Sequence, residues 1–271
     1  MSYKSVMVHV DPGSNAASRV KLAGGLADRF GAELIGIAAW RANLVGFTEY
    51  ESLDQRWVEQ ESELASDKLM EAERAFREAS GARNAAQWRS ARGLPTPFLL
   101  EQARAADLIV VGRQGDADGR DERFDIHIDD ALMDLGRPIL IAPPGLEELY
   151  AERIIVAWKN TREARRAVWD SLPLLQRAEE VIVTTIGKDA AHQGADDVAG
   201  YLKRHDVPAT TKLSASDDPD VTQEIFALSK RRHADLIVAG GYGHSRVREW
   251  VFGGVTRDLL RKTPVCCLMT H

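Results

Sequence analysis

The sequence predicts an α/β protein built from two tandem, doubly wound domains, each a parallel sheet with helices on both faces. Two observations carry this. Short apolar runs alternate with amphipathic stretches of helical period, and the whole pattern occurs twice. In the first half, residues 6–10 read as a strand and residues 15–30 as a helix with apolar Val20, Ala23, Leu26, Ala27 and Phe30. Residues 32–39 then read as a second strand. The second half repeats the rhythm at 154–158, 162–176 and 180–186. Strand, helix, strand in that order implies right-handed crossovers between parallel strands.

The repeat is visible residue by residue. Ala106 to Gly115, ADLIVVGRQG, matches Ala234 to Gly243, ADLIVAGGYG, at seven of ten positions with a separation of 128 residues. Residues 136–141 likewise parallel 262–267, and 6–11 parallel 154–159. So long a period signals duplicated domains rather than a solenoid. The boundary falls near Pro143-Pro144-Gly145, giving expected domains of 1–146 and 147–271. One stretch has no counterpart: residues 50–80 are charged and helix-favouring, with Leu53, Trp57, Leu64, Leu69, Ala72 and Phe76 near one face. Such a stripe packs on a sheet; a partner-binding helix is the other reading.

Composition bounds the function. A net charge of -6 argues against bulk attraction to nucleic acid or anionic membranes. No apolar run approaches the ~18 residues of a membrane span, and residues 1–10 read as a first strand rather than a secretion signal. The cysteines, Cys266 and Cys267, are adjacent in an apolar run, where strand neighbours face opposite ways and cannot bridge. These features fit a cytoplasmic protein.

The stretch most informative about function is residues 234–256, ADLIVAGGYGHSRVREWVFGGVT. A short, doubly buried strand stops at Gly240 and Gly241, glycines punctuate a loop, and residues 256–262 read as a helix ended by Pro264. Strand, glycine loop and helix start together form a place where backbone N–H groups can point at an anion. The same glycines also suit ordinary turn chemistry. The spacing is neither that of a P-loop nor G-x-G-x-x-G.

The pattern G-x2-G-x9-G formed by Gly240, Gly243 and Gly253, followed by a short helix and a Pro-hydrophobic strand, resembles the nucleotide loop of the universal stress protein family. The resemblance covers nearly the whole chain. It implies two Rossmann-like domains of the adenine nucleotide alpha hydrolase type, each with a five-stranded parallel sheet. It also implies ATP bound in the second half, with AMP or ADP as alternatives and Mg2+ accompanying ATP. The positions it assigns to the ligand are Ala157, Trp158, Lys159, Ala239, Gly240, Gly243, Arg246, Gly253, Gly254, Val255 and Thr256. The family motif continues Ser/Thr, apolar, Ser/Thr, whereas this chain has Gly254, Val255 and Thr256, so the first hydroxyl is missing. In single-domain relatives the last strand commonly mediates dimerisation. Residues 138–142 and 264–269 are therefore expected to pair within the chain as an internal pseudo-dimer, with a further homodimer left open.

The halves are unequally equipped. The family's ribose-holding acidic residue is matched by Asp11 in the first half, but Lys159 stands there in the second. Conversely, the first-half loop decays: Asp125 replaces a glycine, and Asp116, Asp118, Asp121, Glu122, Asp129 and Asp130 would crowd any phosphate with negative charge. In the second-half loop, Arg246 and Arg248 add cations and His244 adjoins the glycines. Asp125, His127 and Asp129 would share one face if extended, and read as a solvated edge rather than a metal site. No zinc-protease signature or nucleophile elbow is present. The reading is a nucleotide-sensing module of the stress response. An interaction scaffold with both sites vestigial is the alternative, and a slow ATPase lacks a visible base.

Overall fold

The computed structural model describes residues 2–42, 55–81, 83, 86–114, 121–215, 220–242 and 254–271. In chain order the first half comprises β1 (Ser5–His9), α1 (Ala16–Phe30), β2 (Glu33–Trp40), α2 (Gln55–Ser80), β3 (Ala86–Arg92), α3 (Pro95–Gln102), β4 (Leu108–Gly112), α4 (Ile128–Asp134) and β5 (Ile139–Ala142). The second comprises β6 (Arg153–Ala157), α5 (Arg162–Leu175), β7 (Glu180–Ile186), α6 (Ala195–Lys203), β8 (Ala209–Ser214), α7 (Val221–Arg232), β9 (Leu236–Gly240), α8 (Val255–Lys262) and β10 (Cys266–Thr270).

All ten strands form one sheet, in the order β3-β2-β1-β4-β5-β10-β9-β6-β7-β8. Within each half the pairings are parallel, and the halves meet where β5 and β10 pair antiparallel, Leu140 opposite Leu268. The last strands of the two repeats thus cover each other's edges, removing two exposed ladders. Cys266 and Cys267 lie in β10 and belong to core clusters on opposite faces of the sheet. Both are free, and burial pushes both thiols well up from their ordinary range.

The repeated Ala-Asp-Leu-Ile-Val has a structural cause. The Asp107 carboxylate accepts from the backbone N–H groups of Lys4 (2.7 Å) and Ser5 (3.1 Å). Asp235 does the same for Glu152 (3.1 Å) and Arg153 (3.2 Å). Each aspartate therefore satisfies amide donors where the neighbouring strand begins, and its apolar successors run into the core.

The long helix α2 packs on α1, β2 and β3. Its buried stripe is Ala65, Ala72 and Phe76 with Leu69 partly buried, whereas Leu64 is 38% exposed. Ala65 takes the place expected for Leu64, because 65, 69, 72 and 76 keep strict helical spacing. Leu53 lies outside the described residues. Phe76 sits directly on Gly36 of β2, where a Cβ would come within 2.6 Å of the ring. Among the described residues no helix is long and apolar enough to cross a membrane.

Candidate functional site

In the second half, the chain leaves β6 through α5 toward β7 on one side and returns through α7 to β9 on the other. The strand ends therefore diverge between β6 and β9. This is the topological switch point, where open α/β sheets form a crevice outside the carboxyl ends of their strands. A cleft of about 540 Å3 occupies it. Ala157, Trp158 and Lys159 follow from β6, Ala239 and Gly240 from β9, and Val255 and Thr256 from the start of α8. Val221, Ile225 and Leu259 supply an apolar wall, while Thr184, Lys188 and Asp189 bring polar groups from the β7 side.

Each position has a local cause. Trp158 is 7% exposed, and its Nε1 donates to the Gln193 carbonyl (2.8 Å), which fixes the indole as a wall. Lys159 is exposed at the rim. Thr161 caps α5, its hydroxyl accepting from the Ala164 N–H (3.3 Å). Beside it, Glu163 is buried; burial works to raise its pKa, but its own N–H, the Thr161 hydroxyl, Arg162 and His271 together hold it below the usual range. An internal carboxylate thus already occupies the positive end of α5. The start of α8 differs: its N-cap is Gly254, which brings no side-chain acceptor. Gly240 has a packing duty as well, since a Cβ there would lie 2.5 Å from the Ala164 nitrogen.

The mouth of the glycine loop is tied across the halves. Tyr242, at φ 52, donates its N–H to the Thr256 hydroxyl (3.3 Å), and its phenol donates to Asp129 of the first half. Gly243, His244, Arg246, Arg248 and Gly253 lie outside the described residues.

Among the described residues, the corresponding crevice of the first half, between β1 and β4, is largely filled. Only about 30 Å3 remains among His9, Asp11, Asn15, Arg19, Gly112 and Arg113. Arg19, 6% exposed, fills it: its Nε donates to the His9 carbonyl (2.8 Å), its Nη2 to the Asp11 carboxylate, and its Nη1 lies where a side chain at Gly112 would stand. Asp11 also accepts from the Gly13 N–H (2.8 Å). Burial alone would raise the Asp11 pKa, but Arg19, His9 and the Gly13 amide outweigh it and hold the carboxyl below its ordinary value.

Because the folded pKa is below the unfolded one, the unfolded chain binds more protons in acid. Asp11 therefore contributes stability above about pH 4 that is lost as pH falls further. Urea midpoints measured from pH 6 to pH 3 are expected to drop more steeply for the native chain than for a variant carrying both Asp11→Ala and Arg19→Met.

Two of the carboxylates that the sequence places around this crevice have partners of their own. Asp121 accepts from Trp40 Nε1 (3.3 Å) and the Arg123 N–H (3.0 Å), Asp129 reaches into the second half, and Asp116 and Asp118 lie outside the described residues. Nor do Asp125, His127 and Asp129 form one extended face, since Asp129 is already inside α4. Among the described residues, Arg19 fills the crevice. The sequence held a signal for it: Arg19 lies at helical spacing with the apolar Ala23, Leu26 and Phe30.

The chain's fold is similar to that of a universal stress protein from Archaeoglobus fulgidus, with a TM-score of 0.72 and 15% identity over 98% of this chain and 95% of that one. The fold is that of a tandem universal stress protein. A second solved structure, a protein from Pseudomonas aeruginosa named for the same family, aligns at a TM-score of 0.57 and 12% identity over 99% of this chain and 93% of that one. No protein-family sequence profile matches the chain, and no curated protein sequence does. Of the positions assigned to the ligand by resemblance to universal stress proteins, Ala157, Trp158, Lys159, Ala239, Gly240, Val255 and Thr256 line one cleft. Gly254 adjoins it at the α8 N-cap. Lys188, Asp189 and the α7 wall were missed from the sequence, because no residue pattern marks which loop folds over a strand end.

Proposed function

We propose that the second half binds one adenine nucleotide, ATP in the first instance, and that the protein acts as a nucleotide-sensing module in stress adaptation. The observation that carries the proposal is the contrast between an open cleft of about 540 Å3 at the second switch point and about 30 Å3 at the first. The open volume lies within the ~300–1,000 Å3 of small-molecule sites, which combine apolar walls with a few placed polar groups. The Trp158 wall suits a purine ring. The start of α8, the Thr256 hydroxyl and the lysines at 159 and 188 suit phosphates. Lys159 cannot accept from ribose hydroxyls, so affinity rests on base and phosphates. With ATP, Mg2+ would travel on the phosphates, and Asp189 supplies a carboxylate to the cleft lining.

Titration calorimetry with ATP, ADP and AMP tests this. Saturable heat that Ala157→Trp abolishes, in a variant with native circular dichroism, is the expected result. Flat titrations with all three at millimolar concentration favour an interaction scaffold, the reading suited by Lys159 and the missing hydroxyl at Gly254. That hydroxyl supplies a sharper prediction. A Cβ at Gly254 would meet only the ends of Arg257 (3.3 Å) and Asp258 (3.4 Å), so Gly254→Ser is sterically tolerated. An added hydrogen bond of about 0.5–1.5 kcal/mol would raise ATP affinity roughly 2- to 10-fold, measurable in the same titration.

A further inference from the structure

A second concavity, of about 400 Å3, lies between α5 and α6 on the outer face of the second half. Its walls are Val168 and Trp169 of α5 and Val198 and Tyr201 of α6, and Trp158 closes one side. The repeat explains why it exists. In the first half the 26-residue α2 packs along α1; its counterpart α6 has 9 residues, and α5 packs chiefly on β9 and β10. Trp169 is left 42% exposed as a result. The His205 ring packs against both aromatic residues, its centroid 4.6 Å from that of Tyr201 and 6.5 Å from that of Trp169.

The chemistry of the walls selects the ligand. They are carbon and ring faces, and the one indole N–H of Trp158 is already donated to Gln193. On the rim, Arg165 donates to Asn160 (2.8 Å), while Asp197 lies in the first turn of α6, so one charge of each sign borders the groove. With one cation and one anion on the lining, Arg165 and Asp197, the groove has no net preference for either sign of ligand charge. Flat rings, in contrast, can stack on Trp169 and Tyr201.

We propose that this groove is a second small-molecule site, for a flat, uncharged aromatic compound of two or three rings. It is distinct from the nucleotide cleft and shares only its Trp158–Gln193 wall. The proposal does not depend on nucleotide binding.

N-phenyl-1-naphthylamine, a neutral fluorescent aromatic, is the probe. Titrated into the full chain, it is expected to brighten saturably with one site per chain. Val198→Trp, which fills the groove, is expected to weaken binding at least tenfold, and Trp169→Ala, at an exposed position, about fivefold or more. Both variants are to be compared with the native chain by thermal unfolding. If Val198→Trp misfolds, Trp169→Ala decides alone. Saturating ATP is expected to leave the probe bound. Three results overturn the proposal: no saturable brightening, brightening indifferent to Trp169→Ala, or displacement of the probe by ATP together with loss of binding in Ala157→Trp. Association of chains on Val198-sensitive contacts, with the probe excluded, would assign the groove to a protein partner and overturn it too.

Discussion

Arg19→Ala is expected to destabilise the protein by about 3–5 kcal/mol, because it strands the buried Asp11 carboxylate without its cation. The pair is almost completely enclosed, and Arg19 fills the crevice by volume as well as by charge. Truncation therefore leaves an uncompensated charge and a polar hollow together. Asp11→Ala alone is expected to be similarly damaging, as it leaves the guanidinium with only the His9 carbonyl among these partners. Removing both charges while keeping apolar volume, as Asp11→Ala with Arg19→Met, is expected to recover most of the loss, since buried ion pairs are commonly replaceable by packed apolar groups. Urea unfolding of the four chains completes a double-mutant cycle. A cycle in which the single changes cost less than 1 kcal/mol would show the pair to be solvated, and the first crevice open.

Gly240→Val is the second large effect, at about 2–4 kcal/mol of destabilisation. A Cβ at this position would lie 2.5 Å from the Ala164 nitrogen and 2.7 Å from the Glu163 carbonyl carbon, both backbone atoms of the first turn of α5. Backbone cannot rotate away as a side chain can, so β9 and α5 would have to separate. That movement also spreads the cleft between Ala164 and Thr256, so nucleotide affinity falls with stability. Gly241→Ala is the useful control: its added Cβ would meet the Leu132 side chain, which can repack, and a smaller loss is expected. Thermal unfolding of both variants, with equal losses or a silent Gly240→Val, would contradict the close-approach account.

These two positions show what the sequence could and could not convey. The central strands of each half were legible because parallel, doubly buried strands are short apolar runs, whereas β3 and β8, half-exposed at the two edges of the sheet, were not. The joining of the halves through β5 and β10 was legible by resemblance. Gly240 was legible as a loop glycine, but its contact with α5 was not, since nothing in a strand's sequence names the helix that approaches its end. Arg19 was misread by omission. A cation on the apolar stripe of a helix calls for a nearby acceptor, here Asp11, eight residues earlier, the position that the resemblance assigns to a ribose. The acidic run after Gly115 drew attention because it is dense, yet Asp121 and Asp129 serve as acceptors for Trp40, Arg123 and Tyr242.

The central proposal is an asymmetry: a nucleotide is expected at the second switch point and not at the first, which Arg19 fills. Hydrogen–deuterium exchange on the full chain with and without saturating ATP reads both at once. The account predicts slowed exchange in residues 239–242 and 254–260 and no change in residues 9–15 and 112–114. Protection confined to the first-half segments, or none anywhere with ATP, ADP and AMP each supplied at millimolar concentration, would contradict it.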